Sequence, residues 1–189
     1  MAHAASDDQE LLRRLARGNR AALQECYERY QGAIFRFAWH MSGSQTRAEE
    51  VTQEVFLRLI HKPLKFDPAK GTLSGYLFGI ARNVMRRQMA TSFHDIPLED
   101  EQIGDDPALS IEPDMLLELD RQERLELLQK SVLALPSAYR EALILCALEE
   151  LSYPEAAAIL ECPEGTVASR LHRARAMLKS RLRAVRCVR

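Results

Sequence analysis

The sequence predicts an all-α fold, and three observations predict it. Apolar residues recur three and four apart over long stretches, capping residues with Gly and Pro fall between those stretches, and no run alternates with period two. Taken in order, Ser6 or Asp7 can cap a first helix that ends near Gly18, and a second helix runs from about Arg20 to Met41, before Gly43. Thr46 and Glu49 form a T-x-x-E capping-box pattern opening a third helix that stops before Pro63. There Ala48, Val51, Val55 and Leu59 make the buried stripe, and Glu49, Glu50, Gln53, Glu54 and Arg58 take exposed or flanking positions. The stretch KPLKFDPAKGTLSGY is too rich in Pro and Gly for helix. Ser74 can cap the next helix, which carries Arg82, Arg86 and Arg87 with no opposing acid. Leu116 to Leu135 and Ser137 to Glu149 read as two further amphipathic helices separated by Pro136.

The stretch from Leu151 to Leu182 then reads as a short helix, a tight turn and a long basic helix, the pattern of a helix-turn-helix. Cys162 falls at the N-cap of the second helix, Pro163 at its first position, where a missing N–H costs nothing, and Glu164 in its positive first turn. At roughly 100° per residue, Val167, Leu171, Ala174, Leu178 and Leu182 share one stripe, while Thr166, Ser169, Arg170 and Arg173 gather opposite. From Glu164 to the C-terminus eight Arg or Lys face a single acid, a charge suited to phosphates.

Whole-chain composition hides this polarity, because 26 basic and 27 acidic residues leave a formal net charge of −1. Between Gln88 and Asp120 there is no Lys or Arg, while Asp and Glu accumulate together with Pro97, Gly104, Pro107 and Pro113. That segment reads as an extended, self-repelling linker. The expected organisation is a domain over residues 1–90, an acidic linker over 91–117 and a second domain over 118–189.

Apolar runs fall far short of the roughly 20 residues that cross a bilayer, and the N-terminus has neither a basic start nor an apolar stretch, so a cytoplasmic protein is expected. Cys26, Cys146, Cys162 and Cys187 form no CxxC pair, and the five histidines no HExxH or Cys/His cluster, so buried free thiols, no metal and no cofactor are expected. The spacing of Gly71, Gly75 and Gly79 matches neither a P-loop nor a dinucleotide fingerprint, and an enzyme is not expected. On the residues alone, two basic helical elements joined by an acidic tether suggest DNA gripped at two places. A stand-alone helix-turn-helix activator or repressor, dimeric on a palindrome, fits the second element as well.

The stretches AEEVTQEVFLRLI, FDPAKGTLSGYLFGIARN, LPSAYREALIL, LSYPEAAAIL and GTVASRLHRAR strongly resemble the extracytoplasmic-function group of bacterial sigma factors, in that family's order and over most of both domains. The resemblance implies a promoter-specificity subunit of bacterial RNA polymerase, with sigma region 2 in the first domain and sigma region 4 in the second. Core polymerase and promoter DNA are the implied partners, and an anti-sigma factor is a further one the family allows. In the family the AEEVTQEVF helix docks on the largest polymerase subunit, which gives Glu50, Gln53, Glu54 and Arg58 that role. The Lys62–Ser74 loop and the following helix handle the minus-ten element, where an extruded base must regain in a pocket the few kcal/mol that unstacking costs. Phe66, Asp67 and Asn83 match that pocket, with Arg82, Arg86 and Arg87 near phosphates. The second domain's recognition helix enters the major groove of the minus-thirty-five element. Ser169, Arg170, His172 and Arg173 fall at its DNA-facing positions, and Thr166 and Arg175 near phosphates. The chain departs from the pattern at Ala168, where many relatives are basic, at Tyr76, where Trp is frequent, and at Glu161, where the turn commonly has Gly. Glu161 must then accept the turn geometry, at about 1 kcal/mol.

Overall fold

The computed structural model describes residues 2–61, 72–89 and 121–186. These residues form α1 (Ala2–Ala16), α2 (Arg20–Ser42), α3 (Gln45–His61), α4 (Leu73–Met89), α5 (Arg121–Leu133), α6 (Ser137–Leu143), α7 (Tyr153–Leu160) and α8 (Glu164–Arg186), with no strand among them. The acidic segment 91–117 expected as a linker lies outside the described residues, as do the Lys62–Gly71 loop and Cys187.

Helix ends follow from side chains that satisfy orphan backbone groups. Gly18, at φ 73°, closes α1 with its N–H on Leu15 O, and Asn19 N–H reaches Arg14 O, the paired bonds of a Schellman motif. Asn19 also caps α2, its Oδ1 accepting from the N–H groups of Ala21 and Ala22 at 2.9 and 3.1 Å. Because α1 begins at Ala2, Ser6 and Asp7 lie inside it and are not its cap. Two further caps sit slightly earlier than expected. Ser44, not Thr46, caps α3 through a bond from Arg47 N, and Thr72, not Ser74, caps α4 through a bond from Gly75 N. In each case the chain turns helical as soon as a hydroxyl can take the first free N–H. The expected stripe of α3 is buried at all four positions.

The helix expected from Ser137 to Glu149 is instead α6 followed by a π-helical turn over Ile144–Leu148, where Glu149 N–H bonds Ile144 O five residues back. The turn keeps Ile144 and Leu145 in the core and delivers Glu150 at φ 56°, which ends the helix.

The N-terminal and C-terminal helices do not stand apart. Helix α2 runs between them, touching α1, α3 and α4 on one side and α5, α6 and the π-helical turn on the other. One buried apolar cluster continues from Leu11, Phe37, Leu59 and Leu77 into Ala142, Leu145, Ile159 and Val167, and a second joins α5, α6 and α8. Polar ties cross the same boundary. Arg36 pairs with Glu149 at 2.7 Å, and His40 Nδ1 meets Gln129 Oε1 at 2.9 Å. The buried Arg140 guanidinium donates to the carbonyls of Met41, Leu133 and Leu135, so one cation is shared by the C-terminal ends of α2 and α5, where helix dipoles favour positive charge. Gly43 fits there by necessity: its φ is 68°, and a Cβ would meet Leu133 Cδ1 at 2.6 Å.

The thiols of Cys26, Cys146 and Cys162 are free, Cys26 fully buried and the other two half-buried. Burial pushes the Cys26 thiol up to about 12, which leaves it protonated and unreactive.

Candidate nucleic-acid interface

Four residues set the limits of α7 and the turn into α8. Ser152 and Glu155 form a capping box at the start of α7, with Ser152 Oγ accepting from Glu155 N and Glu155 Oε2 accepting from Ser152 N at 3.0 Å. The S-x-x-E spacing carried that signal unremarked. Glu161 ends α7 in the left-handed region at φ 56°, as a residue in the place of the usual Gly must. The carbonyl of Pro163 accepts from Thr166 and Val167, so Pro163, one residue after the expected Cys162, is the boundary from which α8 grows. Val167, Leu171, Ala174, Leu178 and Leu182 are all buried, as their spacing predicts.

That burial turns the opposite side of α8 outward. Thr166, Ser169, Arg170, His172 and Arg173 are half-buried on it, and Arg175 is exposed. Ser169 Oγ donates to Thr166 O, which fixes the hydroxyl close to the helix. Arg170 Nη1 lies 3.9 Å from Cys162 Sγ, and Arg173 Nη1 donates to Tyr139 Oη on α6. The minus-thirty-five candidates thus share one element, with the two central arginines already oriented by neighbours.

Helix α4 divides its candidates. Asn83, Arg86 and Arg87 are exposed. Arg82 is buried: Nε pairs with Glu141 Oε2 on α6 at 3.1 Å, and Nη1 donates to Ile159 O on α7 at 3.1 Å. In this arrangement it faces the other half of the protein, not solvent, because α7 packs directly on α4. Phe66 and Asp67 lie outside the described residues.

On α3, Glu50 and Gln53 are exposed, and Glu54 pairs with Arg58 one turn on at 2.6 Å. Beside them opens a groove of about 860 Å³ between α2 and α3, lined among others by Tyr27, Gln53, Phe56, Leu57 and Ile60. Tyr27, Leu57 and Ile60 are large apolar side chains left exposed, and sequence reasoning passed over them. Their signal was present, since Leu57 and Ile60 are apolar residues off the buried stripe of α3. Among the described residues no His, Cys, Asp and Glu cluster could hold a metal, and no helix is long and apolar enough to cross a membrane.

Comparison with known proteins places both halves. The family model for Sigma-70 region 2 matches residues 26–92, and that for Sigma-70, region 4 matches residues 125–178. The chain is 33% identical over 176 residues to the ECF RNA polymerase sigma factor SigE of Mycolicibacterium smegmatis, a match covering 88% of this chain and 65% of that longer protein. It is 30% identical to the ECF RNA polymerase sigma factor SigW of Bacillus subtilis, covering 91% of this chain and 95% of that one. Among solved structures, the sigma factor RpoE of Bartonella quintana, in complex with the anti-sigma factor NepR, superimposes with a TM-score of 0.63 at 28% identity over 85% of this chain and 96% of that one. With α2–α4 matching region 2, α5–α8 matching region 4, and the helix-turn-helix in the latter, the chain belongs to the extracytoplasmic-function sigma factors.

Proposed function

We propose that this protein binds core RNA polymerase and directs it to promoters, with residues 1–90 contacting polymerase and the minus-ten element, 91–117 serving as the acidic tether, and 118–189 reading the minus-thirty-five element. The observation that carries the reading is the pairing of two basic outward faces, on α4 and α8, with matches to region 2 and region 4 in that order. Thr166, Ser169, Arg170, His172, Arg173 and Arg175 form the duplex-reading face. Phe66, Asp67 and Asn83, with Arg86 and Arg87, form the surface for the melted strand, and Arg82, buried here against Glu141 and Ile159, joins it when the two halves part. Glu50, Gln53, Glu54 and Arg58 on α3 form the polymerase-facing set, and Gln53 among them lines the groove of Tyr27, Leu57 and Ile60, whose exposed apolar surface suits a protein partner more than DNA. The protein contributes binding and not chemistry, and it works in the cytoplasm, where polymerase and promoter are.

Scale argues that the halves separate in use. Elements centred about 25 base pairs apart lie about 85 Å apart along the duplex at about 3.4 Å per pair. Helix α8, at 23 residues, is only about 35 Å long, and α7 rests on α4. The two faces therefore cannot engage both elements of one promoter while packed as they are here, and polymerase binding is what draws them apart. An anti-sigma factor that grips both halves would oppose that step.

Gel filtration with core polymerase tests the proposal. Wild-type protein is expected to comigrate with core, and Leu57→Asp, which charges the groove without touching the buried stripe, to comigrate poorly at unchanged melting temperature. A chain that ignores core polymerase and binds duplex DNA alone as a dimer would instead be a stand-alone regulator.

A further inference from the structure

Tyr139 belongs to α6, and its ring is buried in the cluster that contains Leu143, Leu171, Ala174 and Leu178. A ring packed among such neighbours has little rotational freedom, so its oxygen is a fixed point at the edge of the core, beside the outer face of α8. Arg173 Nη1 donates to that oxygen at 3.2 Å. An arginine on an open helix surface samples many rotamers, and ordering one such side chain on binding lowers affinity about two- to tenfold. An arginine already held in its bound orientation avoids that cost.

We infer that Tyr139 is a positioning residue for promoter reading: its hydroxyl holds the Arg173 guanidinium on the groove-facing side of α8 before DNA arrives. The inference deepens the reading of α8 as the helix that reads the minus-thirty-five element, and rests on it. The guanidinium is planar, with donors in a rigid fork, so a bond at one terminal nitrogen restricts the orientation of the whole plane. That plane is what must align with the O6 and N7 acceptors of a guanine edge. The phenol is also neutral. A carboxylate in its place would oppose the charge that draws Arg173 to DNA, whereas a hydroxyl adds no charge of its own. The contact lies wholly within α6 and α8, so it persists when the N-terminal helices are drawn away.

Holoenzyme reconstituted from the full chain and core polymerase tests this by transcription over all single-base variants of the minus-thirty-five element. Tyr139→Phe keeps the ring and the packing and removes only the hydroxyl. It is expected to lower preference about two- to tenfold at the position that Arg173→Ala also flattens, leaving the other positions and the melting temperature unchanged. In the Arg173→Ala background, Tyr139→Phe should change nothing further, because the two act through one contact. A purely structural role for Tyr139 scales every promoter variant together, and that result overturns the inference. So does an intact preference profile in Tyr139→Phe when Arg173→Ala flattens it. If Arg173→Ala itself leaves the profile intact, the base-reading assignment of Arg173 fails, and the positioning role of Tyr139 fails with it.

Discussion

Arg82 and Glu141 are 59 residues apart in sequence and form an ion pair of 3.1 Å between α4 and α6, with only 10% and 9% of their side chains exposed. Arg82 was expected near phosphates, and here its guanidinium is turned instead to a carboxylate of the region 4 half. The pair is sheltered from salt screening, and its members are desolvated, so removing one leaves the other charged and buried.

The first prediction follows from that burial. Glu141→Ala should weaken the packing of the two halves by about 3–5 kcal/mol, the usual cost of orphaning a buried charge. Replacing both residues with leucine should recover most of that loss, since a buried pair often exchanges for apolar side chains at little net cost. Energy transfer between dyes on α3 and α8, followed through urea titration, reports the separation. A single variant that separates at wild-type urea concentration shows that the pair does not hold the halves together.

The fold of each half was legible in the sequence and their packing was not, for one physical reason. Periodicity records which face of a helix is apolar, so Val51, Val55, Val167 and Leu171 could be assigned to cores from spacing alone. It does not record which apolar face meets which. Ala157 and Ile159 of α7 belong to the same cluster as Leu77 and Phe78 of α4, but nothing in either stretch names the other. Acid-rich composition between the halves pointed to separation, and it carries no information on whether the faces it joins are complementary. The candidate site divides the same way. Ser169 and Arg170 were placed on the outer face of α8 by helical arithmetic, whereas the use of Arg82 as an interdomain cation depends on Glu141 and Ile159, which lie in two other helices.

Glu161 supplies the second prediction. It occupies the left-handed region, where an L side chain costs roughly 1–2 kcal/mol and glycine nearly nothing. Its side chain is exposed, so little packing is lost on removal. Glu161→Gly should raise stability by about 1 kcal/mol in thermal unfolding, without altering promoter preference. A lower melting temperature would falsify the strain argument.

The third prediction concerns pH. Burial between α2 and α5 lowers the His40 pKa below the ordinary imidazole range, partly offset by its bond to Gln129, while the nearby Arg36 charge adds to the depression. The folded state therefore favours the neutral ring. Stability from this group is complete above the unfolded pKa of about 6.5 and declines as pH falls below it, levelling off under the folded value. Glu149, raised by burial despite Arg36, acts in the opposite sense, its contribution falling as pH rises above the ordinary carboxylate value, and it is common to wild type and variant. Between pH 7.5 and 5.5 wild-type protein should lose more stability than His40→Gln, which keeps a polar partner for Gln129 but cannot titrate. Denaturation curves at the two pH values decide, and parallel losses in both proteins remove His40 as the cause.

Asn83 offers the sharpest division between a DNA contact and a structural residue, because it is exposed on α4 between the buried Arg82 and Val84. An exposed amide adds little to the fold, so Asn83→Ala should leave melting within about 0.5 kcal/mol of wild type. If the amide instead bonds a base that leaves the stack, the variant loses a contact made only after unpairing, worth about 1 kcal/mol or somewhat more. That loss falls on the equilibrium between closed and open promoter complexes. On a duplex promoter it should lower open-complex formation by roughly 5- to 30-fold, the factor that about 1–2 kcal/mol represents. On a template mismatched across the minus-ten element unpairing has already occurred, and holoenzyme carrying Asn83→Ala should recover a large part of its activity there. The control is Arg87→Ala, whose exposed cation attracts phosphates on either template and should weaken both by similar amounts, more so at low salt. Equal defects of Asn83→Ala on paired and mismatched templates would show that Asn83 reads no extruded base.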